Sequence, residues 1–122
     1  MDYKSNRNVV HSCKYRVVWW SKYRRRVLVE GIDERLRVIL REVAVETRSE
    51  ILEMEVMPDH VHMLVEVDPQ FGIRSPIKRM KGRSSRLLRQ EFPDSYFVSM
   101  VGGAPPAMVK QYIESGRRSE SR

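Results

Sequence analysis

The stretch Pro58-Asp59-His60-Val61-His62, running directly into Met63-Leu64-Val65, constrains this chain more than any other. Pro58-Asp59 is a tight connection between Glu50 to Met57 and His60 to Val67, both read as strands, and so short a link implies an antiparallel hairpin. A strand repeats its side-chain direction every two residues. His60 and His62 therefore share one face, while Val61, Met63 and Val65 point the other way, into a core. Two imidazoles on one sheet face of a strongly basic chain suggest half of a divalent-metal site aimed at a phosphate.

The other elements follow from local pattern. Val9 to Trp20 is dense in β-branched and aromatic residues and reads as a long strand. His11, Cys13, Tyr15, Val17 and Trp19 share one of its faces, and His11 is taken as a structural residue there. Ile32, Leu36, Ile39, Leu40 and Val43 recur at helical spacing. A second helix is expected to start with Ser75 as cap and Pro76 at the first helical position, to bury Ile77, Met80, Ser84, Leu87 and Leu88, and to end at Pro93-Asp94. Ser95 to Val101 reads as a fourth strand and Gly102-Gly103 as a joint. Pro105-Pro106 is expected to open a last helix carrying Met108, Val109, Tyr112 and Ile113. The expected fold is α+β: a ferredoxin-like antiparallel sheet in the order β-α-β-β-α-β, with an added C-terminal helix that carries Tyr112. Residues 1–116 form one domain in this reading, and 117–122 are expected to be a disordered tail.

The 122 residues carry a net charge of +7, which favours a polyanionic partner, nucleic acid first. A single cysteine, Cys13, excludes an intramolecular disulfide and a cysteine-rich zinc module. No apolar run approaches a membrane span and the first residues are polar, so a cytoplasmic protein without a membrane partner is expected.

Two basic stretches fit a phosphate backbone. Lys22-Tyr23-Arg24-Arg25-Arg26 combines charge with a ring for base stacking. Lys78, Arg79, Lys81, Arg83, Arg86 and Arg89 crowd the second helix with few acids among them. Gly82 and Ser84-Ser85 are expected to let a phosphate approach closely. The candidate DNA-binding residues are Lys22, Tyr23, Arg24, Lys78, Lys81, Arg83 and Arg86. A cation held by His60 and His62, Mg²⁺ or Mn²⁺, keeps positions open for a phosphate oxygen. Phosphodiester cleavage also needs a nucleophile. Water, serine and tyrosine are the options; among the tyrosines, Tyr3, Tyr15, Tyr23 and Tyr96 compete with Tyr112 on chemistry alone.

Several stretches together resemble a known family. They are His11 to Trp19, Lys22-Tyr23-Arg24, Met57 to His62, Lys81-Gly82-Arg83-Ser84-Ser85 and Val109 to Glu114. They are similar to the small single-tyrosine HUH transposases (TnpA) of the insertion-sequence 200/605 group, related to the REP-associated tyrosine transposases. The resemblance implies a homodimer that recognises hairpins in single-stranded DNA at element ends. It implies that His60 and His62 hold the metal, and that Tyr112 attacks to form a 5′-phosphotyrosine link and a free 3′-OH. DNA is thereby cleaved and rejoined. The family usually places a glutamine one helical turn after the tyrosine, where this chain has Gly116. It also usually carries a longer segment where Phe92-Pro93-Asp94-Ser95-Tyr96 stands here. The alternative is a catalytically decayed DNA-hairpin-binding protein of the same ancestry.

Overall fold

The computed structural model describes residues 13–21, 24–93 and 107–111. The elements are β1 (Cys13–Trp20), α1 (Ile32–Glu46), β2 (Glu50–Met57), β3 (His60–Val67), α2 (Arg74–Glu91) and β4 (Ala107–Gln111). Their sheet order is β2-β3-β1-β4, with every neighbouring pair antiparallel. This is the expected ferredoxin-like arrangement. The central strand β3 is paired on both sides, Trp20 opposite His60 on β1 and Met57 opposite His60 on β2.

Alternation along the strands builds the core. Val61, Met63 and Val65 are wholly buried, as are Val17 on β1 and Leu36, Ile39, Leu40 and Val43 on α1. Met80 and Leu88 of α2 complete the layer. Both helices thus cover one face of the sheet, and the histidines alternate onto the other. That second face of β3 also carries Leu64 and Glu66, both buried.

Each helix starts without a side-chain cap. The approach to α1 is made by Gly31, whose φ of 95° is left-handed and suits glycine. Helix α2 begins at Arg74, so Ser75 lies inside its first turn and does not cap it. Asp68 organises the entry instead. Its side chain accepts from the Gln70 N–H, and its carbonyl from the Phe71 and Gly72 N–H groups. Pro76 is tolerated there because first-turn N–H groups have no intrahelical acceptor.

The C-terminal segment differs from expectation. Met108 and Val109 belong to strand β4, not to a helix, with Val17 opposite Met108 and Arg16 opposite Val109. Spacing of apolar residues over so few positions cannot separate helix from strand. Pairing satisfies the backbone groups on the outer edge of β1, a non-local gain that periodicity does not register. The expected strand at Ser95 to Val101, together with Tyr112, Ile113 and the tail 117–122, lies outside the described residues.

Two-point ion pairs join the helices. The Arg35 guanidinium donates to both Glu91 oxygens at 2.7 and 3.0 Å. That of Arg83 donates to both Glu46 oxygens at 2.7 and 2.6 Å. The hydrogen bonds from these arginines hold both carboxyls below their ordinary value of 4.5. A depressed carboxyl pKa stabilises the fold above the unfolded value and loses that effect as pH falls through the folded one. Replacing Glu46 and Glu91 together by Gln is therefore expected to lower the thermal midpoint at neutral pH. It should also flatten the fall in stability below about pH 4.5, and its cost should shrink in about 1 M salt. Melting curves across pH and salt check this.

Candidate active site and DNA interface

The turn Pro58-Asp59 places His60 at the first position of β3. The backbone next to it is clamped by residues that follow β1. Ser21 N–H donates to the Asp59 carbonyl at 3.0 Å, and Leu28 N–H to the Pro58 carbonyl at 2.9 Å. Between these points the chain is tied to itself: the Ser21 hydroxyl donates to the Arg25 carbonyl at 2.6 Å, and Arg24 N–H to the Ser21 carbonyl at 2.9 Å. Val27 and Leu28 are buried and anchor the far end. Arg24 to Arg26, the described part of the basic stretch, are thereby held at the histidine end of the sheet, although the two motifs are distant in sequence.

His60 is gripped at its edge. Its Nδ1 lies 2.9 Å from Asp59 Oδ1. That hydrogen bond, with the charge of Arg26 contributing, holds the Asp59 carboxyl below its ordinary value. An ionised carboxylate only accepts, so Nδ1 carries the proton and Nε2 is left to bind a cation. Its face is also occupied: the Trp20 ring centroid lies 4.4 Å from that of His60, the planes 31° apart. The Arg24 guanidinium carbon stands 4.1 Å from the Trp20 ring centroid. His62 projects from the same sheet face, between Val18 of β1 and Glu55 of β2.

His60 and His62 could hold a divalent cation, and the donor set fits one. One imidazole has a fixed tautomer and its neighbour lies two residues along the same face. No group of three His, Cys, Asp or Glu side chains is assembled for a metal among the described residues. A cation on the two imidazoles would keep positions for water and phosphate oxygens. Asp59 is engaged with the rear nitrogen of His60, so its carboxylate orients that ring.

The cations of α2 divide into two groups. Arg83 is committed to Glu46, with Arg79 3.8 Å from the same carboxylate. Arg83 thus ties the two helices together, a partner that its place in the basic helix does not reveal. Ser84 and Ser85 are likewise buried, and the Ser84 hydroxyl donates to the Met80 carbonyl at 2.6 Å. They cannot meet a phosphate as expected. Gly82 does face open space: a Cβ there would meet nothing within 4 Å. Lys78 and Lys81, with Arg74, Ser75, Ile77 and Met108, line a groove of about 810 Å³ between α2 and β4. Arg86 is exposed on the same helix. Lys22, Tyr23 and Tyr112 fall outside the described residues.

The sheet separates these features. The histidines, Trp20 and Arg24 gather at one end of the face away from the helices, and the Lys78–Lys81 groove belongs to the helical layer. Trp20 and Arg74 were not singled out from sequence. Only the β1–β3 register puts Trp20 on His60, and only β4 turns Arg74 into part of a groove.

Replacing Lys78 and Lys81 together by Ala is expected to reduce the slope of log K against log salt for DNA binding by about 0.7–0.9 per lost contact. Arg83→Ala should instead lower the thermal midpoint and leave that slope unchanged. Salt titrations of DNA affinity beside melting curves separate the two roles.

Comparison with known proteins agrees with this architecture. Residues 9–116 match the family model described as "Transposase IS200 like". The chain is 34% identical to the ISDra2 transposase TnpA of Deinococcus radiodurans, over 98% of this chain and 95% of that one. It is 35% identical to the transposase for insertion sequence element IS200 of Salmonella typhimurium, over 93% of this chain and 82% of that protein. A crystal structure of a transposase candidate from Deinococcus radiodurans R1 superposes with a TM-score of 0.76 at 30% identity, covering 89% of this chain and 86% of that one. The chain belongs to the IS200-like transposase family.

Proposed function

We propose that this transposase cleaves and rejoins single-stranded DNA at hairpin-bearing element ends through a 5′-phosphotyrosine intermediate. The observation that carries the reading is the fixed His60 imidazole, with Nδ1 on Asp59, beside His62 and a basic loop. His60 and His62 would hold Mg²⁺ or Mn²⁺. The cation, when bound, polarises the scissile phosphate and offsets charge in the transition state. Tyr112 is the nucleophile. Its Oη–P bond forms as the P–O3′ bond breaks, the phenol proton leaves, and the departing oxygen takes up a proton to become the free 3′-OH. The 3′-OH of a second strand reverses the step, so joining needs no ATP.

Phenol, with a pKa near 10, is on the order of 0.1% ionised at neutral pH. Attack therefore depends on a nearby cation or on proton removal during the step. Lys22, Tyr23, Arg24, Lys78, Lys81 and Arg86 bind the DNA, and the working unit is a homodimer. Gly116, where the family usually has a glutamine, favours a second reading: a DNA-hairpin-binding relative that has lost catalysis.

Incubation with single-stranded element ends and Mn²⁺ is expected to give a protein–DNA adduct that mass spectrometry maps to Tyr112. Tyr112→Phe should abolish it with DNA affinity retained, and Gly116→Gln should raise its yield. An adduct surviving Tyr112→Phe contradicts the assignment. Retained binding with no adduct from either the parent or Gly116→Gln favours the second reading.

A further inference from the structure

We propose that Trp20 is a positioning residue for His60. It holds the imidazole by its face while Asp59 holds it by its edge, and the same indole holds Arg24 at the cation-binding end of the sheet. The inference rests on the reading of His60 as a metal ligand and names what keeps that ligand in place. The Asp59 contact fixes one edge of the ring but does not by itself oppose tilting of the imidazole plane. A ring partner 4.4 Å away, its plane tilted by 31°, opposes that tilting. Trp20 is well placed for this because it pairs directly with His60 across the β1–β3 ladder.

Cross-strand aromatic pairs stabilise many sheets without further role. The burial pattern argues for more here. Trp19 is the tryptophan sunk in the core, at 2% exposure, whereas Trp20 lies half-buried on the histidine face. Arg24 reaches the same indole with its guanidinium carbon 4.1 Å from the ring centroid. Arg24 has a left-handed φ of 53°, uncommon for a residue with a side chain, and the Ser21 and Arg25 hydrogen bonds hold the backbone around it. The same indole thus contacts both the His60 imidazole and the Arg24 guanidinium.

The test counts free Mn²⁺ by electron paramagnetic resonance as the ion is titrated into the full chain. Trp20→Leu is expected to weaken Mn²⁺ affinity by about three- to tenfold. Its thermal midpoint in chelator should stay close to the parent's. Trp20→Phe, which keeps a ring, should restore affinity to within about twofold. Unchanged affinity in a folded Trp20→Leu protein overturns the proposal. Parent protein that binds no Mn²⁺ overturns the metal reading beneath it, a separable outcome. Should Trp20→Leu fail to fold, NMR of the parent decides: ring protons of His60 are expected upfield of those of His62, and unshifted His60 protons overturn the stack.

Discussion

Two backbone hydrogen bonds, Ser21 N–H to the Asp59 carbonyl and Leu28 N–H to the Pro58 carbonyl, dock the loop after β1 onto the β2–β3 turn. Much of the candidate active site depends on them. They bring the charge of Arg26 to bear on Asp59 and set Arg24 over the Trp20 ring that faces His60, and they hold Asp59 where its carboxylate can meet the rear nitrogen of His60. Buried Val27 and Leu28 make the docking cooperative with the core, because the loop cannot lift without exposing them. A tight turn, a strand end and a basic loop thereby become one unit.

The sheet gives that unit its direction. Strict alternation on β3 sends Val61, Met63 and Val65 to the helices and both histidines to the opposite face. The strongly basic helix α2 lies on the helical side. A DNA strand engaging both surfaces must pass around the edge of the domain. Charge on α2 is also less available than its composition implies, since Glu46 engages Arg79 and Arg83. What remains beside β4 is the groove with Arg74, Lys78 and Lys81.

Features with a local cause were legible in the chain. Strands β2 and β3 and the buried stripe of α1 match their sequence patterns because a period of two or of 3.6 residues is written in adjacent positions. The pairing of His60 with His62 on one face is legible for the same reason. Features set by distant partners were not. Met108 and Val109 fit a helix until the edge of β1 recruits them as a strand. The Arg83–Glu46 tie has no local signature, because its acceptor comes from α1. Ser75 has the residue type of a cap, yet Asp68 organises the turn before it. Trp20 is one more aromatic in a strand until the β1–β3 register sets it opposite His60.

The central claim is that His60 and His62 form one cation site at the docked end of the sheet. Its most direct test is NMR of the intact protein titrated with substoichiometric Mn²⁺, whose unpaired electrons broaden nearby resonances. The account predicts selective loss of the His60 and His62 imidazole signals, followed by the Trp20 indole signals, while those of Met80 and Leu88 in the core beneath the helices persist. Broadening centred on the acidic side chains of β2, with both histidines sharp, would contradict it.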